Sequence, residues 1–308
     1  MLLLATLVSS GCLVRSRERI QTSRPAAGWR EATLAELLTG LRAQETAIRT
    51  LNATVDVEPS VSSAQQGEVV HYRDVRSFLL IRKPGWLRMI GLYPVVRSTA
   101  FDLTSDGEKF ELYVPSKDRL VLGSSVSSKR SSSTLENLRP YHILDALLWR
   151  SPDPSKERAV LEVVDEPTQS HYVVHIITTN GATNGNGQLE LARKFWYERA
   201  GLTLARLQIF DSGGVLATDA RYSSYGEFGG ISYPQNIVID RPQDQYGLAL
   251  RVTRLVFNEE LGDEKFKMER PANATVMNLD APAAAGDNPV IRPVNGPGTS
   301  AGEGSSVN

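Results

Sequence analysis

From Asn52 onwards nearly every segment of the chain alternates apolar and polar residues with a period of two and is rich in β-branched and aromatic side chains. That is the signature of strands with one buried face. Strands are predicted at Val69–Arg82, Trp86–Ile90, Arg97–Thr104, Lys109–Val114 and Arg119–Leu122. The pattern resumes at Ala159–Val164, His171–Thr178, Gln188–Arg199, Thr203–Asp211, Leu216–Tyr225, Ile231–Asp240 and Ala249–Asn258. Between them stand turn signals such as Lys83-Pro84-Gly85, Asp106-Gly107 and Pro115-Ser116-Lys117-Asp118. Links this short favour antiparallel pairing, because a parallel crossover needs roughly a dozen residues or more.

Helical spacing occurs in two places. Leu34, Leu37, Leu38, Leu41 and Ile48 fall on one face behind a Thr33/Glu36 capping box. Pro140 opens a second helix carrying Ile143, Leu144, Leu147 and Leu148, which Pro152 and Pro154 stop. So few helices among about a dozen strands exclude a doubly wound α/β fold. The expected class is mainly β (α+β): a strongly curved antiparallel sheet or incomplete β-barrel, with the helices packed in or across its concave face. Such a shape encloses an apolar hollow. Candidates to line it are Leu37, Leu41, Trp86, Met89, Ile143, Leu147, Trp149 and Trp196. The same residues would equally serve to fill a core, and the sequence leaves both readings open.

The two ends have a different character. Met1–Val8 is a short apolar run followed by Ser9-Ser10-Gly11-Cys12, and Cys12 is the chain's single cysteine. One cysteine excludes an internal disulfide framework and a cysteine-built zinc site. The run resembles the lipobox of bacterial lipoproteins, although Ser9 stands where leucine is usual and no Lys or Arg precedes the apolar stretch. The resemblance implies a signal peptide over 1–12, with Cys12 acylated, palmitate included, and tethered to a membrane. A polar tether follows over 13–28, a folded domain over 29–280, and a tail over 281–308 too poor in large apolar residues to fold. Leu13, where Asp could have stood, implies a lipid-anchored place at the outer membrane facing the periplasm. Elsewhere no apolar run approaches the roughly 20 residues that span a bilayer. With 34 Lys+Arg against 35 Asp+Glu and no basic cluster, nucleic acid is not an expected partner. A monomer is expected.

Chemistry-bearing residues are scattered. His171 and His175 lie on a predicted strand, where four residues span roughly 13 Å and cannot converge on one metal. His71 and His142 stand alone, and Asp106 with Asp102 belongs to a hairpin signature. The glycine-rich run Asn180–Gly187 precedes a strand and lacks the Gly-Lys-Ser/Thr ending of a phosphate loop. Lys129 and Arg130 sit in a Ser-rich loop. No enzyme, metal or cofactor is indicated.

Two passages carry a family resemblance. Phe78-Leu79-Leu80-Ile81-Arg82-Lys83-Pro84-Gly85-Trp86-Leu87-Arg88-Met89, continuing to Ser105-Asp106-Gly107 and Phe110-Glu111-Leu112-Tyr113-Val114-Pro115, is one; Tyr233-Pro234-Gln235-Asn236-Ile237-Val238-Ile239 with Phe257-Asn258 and Asp263-Glu264-Lys265-Phe266 is the other. Together they resemble the LolA/LolB-like superfamily of bacterial lipoprotein carriers and receptors. The resemblance implies an incomplete barrel with a helical lid whose hollow accepts acyl chains of lipoproteins or lipids, in lipoprotein localisation. Arg88 and Arg97 are the candidates by position for the carrier's functional arginine. The alternative is an envelope binding or sensory module of the same fold whose hollow is filled and whose outer surface meets a partner protein.

Overall fold

A computed structural model describes residues 28–63, 68–71, 74–125, 138–165, 169–180 and 188–280. The leader with Cys12, most of the tether, the Ser-rich loop with Lys129 and Arg130, the glycine-rich loop after Asn180 and the tail over 281–308 lie outside the described residues. Among the described residues two α-helices, α1 (Leu34–Ala47) and α2 (Pro140–Leu147), accompany the strands. The strands are β1 (Thr50–Ser63), β2 (Glu68–His71), β3 (Val75–Arg82), β4 (Trp86–Leu92), β5 (Thr99–Asp106), β6 (Lys109–Val114), β7 (Arg119–Ser124) and β8 (Glu157–Asp165). They continue with β9 (Ser170–Asn180), β10 (Gln188–Glu198), β11 (Leu204–Phe210), β12 (Leu216–Phe228), β13 (Ile231–Arg241), β14 (Tyr246–Phe257) and β15 (Thr275–Asn278).

All of them join one sheet in the order β15-β7-β6-β5-β4-β3-β1-β14-β13-β12-β11-β10-β9-β8, with β2 attached to the far part of β1. This is the curved, unclosed sheet that the alternation predicts. Its curvature has a local cause. The ladders shift register beside Thr54, Gly91, Leu191, Trp196 and Ile209, and each such bulge bends its strand and increases the twist. Along β1 the inward residues Leu51, Ala53, Val55 and Val57 are at most 3% exposed, while Asn52, Thr54, Asp56 and Glu58 face outward.

Three details depart from the sequence reading. The single strand predicted over Val69–Arg82 is two, β2 and β3, both paired to β1. The strand β1 (Thr50–Ser63) stands where the alternation sets in but where no strand is predicted, and it starts at the closed base of the sheet. And β15, which no periodicity announced, adds to the β7 edge in parallel, so the sheet is not wholly antiparallel. A four-residue strand carries too few alternations to register; it is held by Thr275 and Leu279, whose amides donate to the carbonyls of Asp118 (2.8 Å) and Leu122 (2.9 Å).

Both helices sit where their apolar stripes demand. The Thr33/Glu36 capping box forms as predicted. Helix α1 buries Leu37 and Leu41 and closes one end of the concave side, where the Gln44 amide donates to Ser232 O (3.0 Å) and the Lys83 ammonium to Glu45 O. Helix α2 crosses the concave face. Its last carbonyls, Ala146 and Leu147, accept hydrogen bonds from the buried hydroxyls of Tyr222 (2.7 Å) and Tyr233 (2.8 Å). Removing either hydroxyl strands a buried carbonyl, so Tyr222→Phe and Tyr233→Phe should each destabilise the fold by about 1–3 kcal/mol. Urea unfolding followed by circular dichroism reads this as a lowered midpoint with an unchanged slope.

Candidate functional site

The register of the strands gives the concave side a closed end and an open end. At the closed end lie α1 and the turns at Lys83-Pro84-Gly85 and Asp106-Gly107, which touch so closely that a Cβ on Gly85 would stand 2.7 Å from Gly107 Cα. Toward the open end point the β4–β5 loop, the 3-10 turn Pro115–Lys117 and the β13–β14 turn.

Helix α2 covers only part of the concave face. Along the inner side of β1, β3 to β6 and β14 a cavity of about 670 Å³ remains, opening at that end. Its walls are apolar: Val57, Val75, Met89, Leu112, Val114 and Leu248, with Leu138 ahead of α2 closing one side. Exposed Asp74, Ser116 and Lys117 supply polar groups at the rim.

Two local devices shape the wall. The bulge beside Gly91 brings both Ala100 and Phe101 to the cavity. Gly91 is needed there, since a Cβ would stand 2.3 Å from the Phe101 ring. Over the opening hangs the β4–β5 loop, pinned by Tyr93 N–H to Ser98 O and Arg97 N–H to Tyr93 O, both 3.0 Å, with Arg97 in the left-handed region (φ 51°). It lifts Val95 to 92% and Val96 to 72% exposure, and both line the opening. Valines held this far into water are poorly accounted for by packing.

The β13–β14 turn forms the other lip. Buried Arg241 fastens it, donating to Asp244 (2.6 and 2.9 Å) and to Thr218 Oγ1 (2.6 Å). This sets Tyr246 into the cavity wall, its hydroxyl 2.8 Å from His142 Nδ1 on α2. The His142 ring is 4% exposed, and its Nε2 has no hydrogen-bond partner among the described residues.

Of the eight lining candidates read from the sequence, Met89 is in the cavity wall. Leu37, Leu41, Ile143 and Leu147 are buried on the inner faces of the two helices. Trp149 stacks on Tyr233 (5.9 Å between centroids) and meets Tyr222 edge-on. The sheet carries Trp86 and Trp196 on its other face, against Phe266 and His171. Arg88 is paired with Asp102 (2.9 Å) on that outer face, and Arg97 belongs to the loop over the opening. The residues that reasoning missed come from β1, β14 and the Tyr93–Val96 loop; only the run Tyr-Pro-Val-Val at a turn hinted at them. Among the described residues no group of three or more His, Cys, Asp or Glu lies together as a metal site, and no helix is long and apolar enough to cross a membrane.

Burial, and after it the charges of Arg241 and Arg139, hold His142 well below the usual histidine value of 6.5. The neutral ring is therefore the folded form, while the unfolded chain takes up a proton as the pH falls below 6.5. Stability should decline on acidification through that window with a slope of up to about 1.4 kcal/mol per pH unit. Urea midpoints measured between pH 7.5 and pH 5 (roughly the range over which a histidine titrates) should show this slope in the parent chain and lose it in His142→Phe.

Comparison with known proteins gives a fold-level likeness. No family model and no curated protein sequence matches the chain. Among solved structures, a domain from Vibrio parahaemolyticus provisionally described as outer membrane lipoprotein-sorting is 16% identical, covering 75% of this chain and 94% of that one at a TM-score of 0.47. A LolA superfamily protein from Nitrosomonas europaea is 11% identical over 75% and 97% (TM-score 0.46). A DUF1329 family protein from Desulfovibrio piger is 14% identical over 75% and 94% (TM-score 0.45). All three scores lie below 0.5, so the architecture given above rests on this chain's own strand order and register.

Proposed function

We propose that this protein is a non-catalytic, lipid-anchored binding protein of the bacterial envelope that takes acyl chains of lipoproteins or lipids into the cavity behind the Tyr93–Val96 loop. One observation carries the reading: about 670 Å³ of space lined mainly by aliphatic and aromatic side chains and left unfilled by the described residues. The volume falls within the range of small-ligand sites. Each methylene moved from water into such walls contributes about 0.8 kcal/mol, so a partly enclosed chain is held without any charged contact. A filled hollow would have favoured the alternative of a module that works through its outer surface, and the open cavity speaks for the first reading. The lipobox-like run ending at Cys12 supports an anchor at the outer membrane facing the periplasm, and the resemblance of Phe78–Pro115 and Tyr233–Phe266 to LolA/LolB-like carriers supports a role in lipoprotein localisation.

Two measurements test this. Protein purified from envelopes in mild detergent should release acyl lipid or lipoprotein to mass spectrometry, and Ala100→Trp, which puts an indole into the cavity, should reduce recovery several-fold with the fold intact. Recovery of parent protein with nothing bound would overturn the reading. For the anchor, the intact mass should show cleavage before an acylated Cys12, and Cys12→Ser should move the protein from the membrane to the soluble fraction.

A further inference from the structure

We propose that two copies of this chain pair through the free edge of β8, antiparallel and related by a two-fold axis at Val160. The two edges of the sheet are unlike. At one, the four residues of β15 lie in parallel on β7. At the other, β8 runs for nine residues, Glu-Arg-Ala-Val-Leu-Glu-Val-Val-Asp, with no proline and no register shift against β9. Among the described residues it has a ladder partner on one side only. A long, regular edge strand is a template for another strand unless it is blunted.

The groups it offers follow from the register. Arg199 N–H donates to Ser170 O (3.0 Å), so the even residues of β9 bond toward β10 and the odd ones toward β8. Through the pairing of Val160 with His175, the even residues of β8 bond to β9, and Ala159, Leu161 and Val163 turn their amides and carbonyls to the free edge.

The sequence of β8 is complementary to itself. Arg158 and Glu162 stand two residues either side of Val160, all three exposed on the same face. In an antiparallel pair centred on Val160, Arg158 of each copy faces Glu162 of the other, twice over. Ala159 and Leu161 then exchange backbone bonds with Leu161 and Ala159 across the axis. Val160 meets its counterpart at a position without backbone bonds, where facing side chains come closest. Centring on Glu162 instead sets two carboxylates against each other, and centring on Leu161 leaves Arg158 opposite Val164. The face beside the edge fits as well. Val160, Ile177, Leu189 and Leu191 line a shallow apolar depression of about 510 Å³ there, with His175 and Glu162 paired at 2.7 Å within it, and Leu189 is 66% exposed. The axis would join two such depressions into one. The sequence predicts a monomer because strand edges are not visible in it; the charge pattern matched to its own reverse is what selects a second copy over any other strand.

Cysteine trapping on the full chain in detergent tests the register. In Val160→Cys the paired Cα atoms would lie about 4.5 Å apart, within disulfide reach. Mild oxidation should give a covalent dimer in this variant and none in the parent chain, whose single cysteine is Cys12. Val164→Cys should stay uncrosslinked, since its counterparts would be displaced by eight residues, roughly 26 Å. In sedimentation velocity, Arg158→Glu and Glu162→Arg should each weaken pairing by roughly tenfold or more, and the double exchange should restore it. Restoration separates a lost interface from a damaged fold. A parent chain that is monomeric at tens of micromolar, crosslinking at Val164→Cys equal to that at Val160→Cys, or a crosslinked product containing a different protein would overturn the proposal.

Discussion

A sheet that is apolar along one side of nearly every strand cannot lie flat in water, and everything else in this molecule follows from how that side is covered. Backbone pairing keeps the sheet continuous from β15 to β8, so it cannot fold in half to bury itself as a sandwich does. It curls instead, with the bulges supplying the bend. The opposite face shows what it must bear in water: an ionic lattice in which Asp56 meets Arg76 (3.1 Å) and Arg251 (4.0 Å), and Arg251 meets Asp74 (3.7 Å). Exposed pairs of this kind contribute little to stability. Their role is to make the outer face an unfavourable place for the core.

Curling creates more concave surface than two helices can cover. Helix α1, with Leu37 and Leu41, closes one end, and α2 with Trp149 fills the middle against Tyr222 and Tyr233. The C-terminal segment is used elsewhere. Arg82 lies between the rings of Trp86 (4.6 Å) and Phe266 (5.1 Å), donates to Leu261 O (2.8 Å) and pairs with Asp263 (2.6 Å), which straps that segment across the outside of β3 and β4. Beyond it Arg270 pairs with Glu111 and the chain ends its described course on the β7 edge. Among the described residues, what is left uncovered is the inner wall from β1 to β6 with β14, and that remainder is the cavity. Apolar walls with no protein atoms facing them forgo those dispersion contacts, so the arrangement is one that an apolar guest would complete.

The division between what could be read in the sequence and what could not follows from the range of each signal. Alternation is local, so most strands were legible, β1 and β15 excepted, as were Thr33 and Glu36 at one helix start and Pro140 at the other. The break of the Val69–Arg82 run into two strands was not, because both halves alternate correctly and only the partner β1 decides where each is paired. The lining of the cavity was the least legible. Leu147 and Leu112 are both apolar, inward and at most 3% exposed, yet one is buried on the inner face of α2 and the other lines the cavity. That distinction depends on how far a bent sheet stands from the element across it, and no residue spacing encodes it. Tryptophan misled for a related reason: Trp86 and Trp196 are large enough to suggest a core, but the pleat puts them outside, where Arg82 and the Gln208 amide oxygen take up their rings.

The two ends of the concave side also bear on how the chain could work from a membrane. Its first described residues are tied to the closed end, where Arg30 N–H donates to Arg199 O (2.9 Å), Tyr172 OH bonds with the Ala32 amide (3.1 Å), and the Arg199 guanidinium lies over the Trp29 ring (5.0 Å). The cavity opens at the other end of the strands, beneath Val95 and Val96. On the reading proposed above, a lipid on Cys12 would hold the body by the end away from its opening. In that orientation the opening would face away from the anchoring bilayer. A guest could thus be accepted from the side remote from the membrane without competing with the membrane that holds the protein.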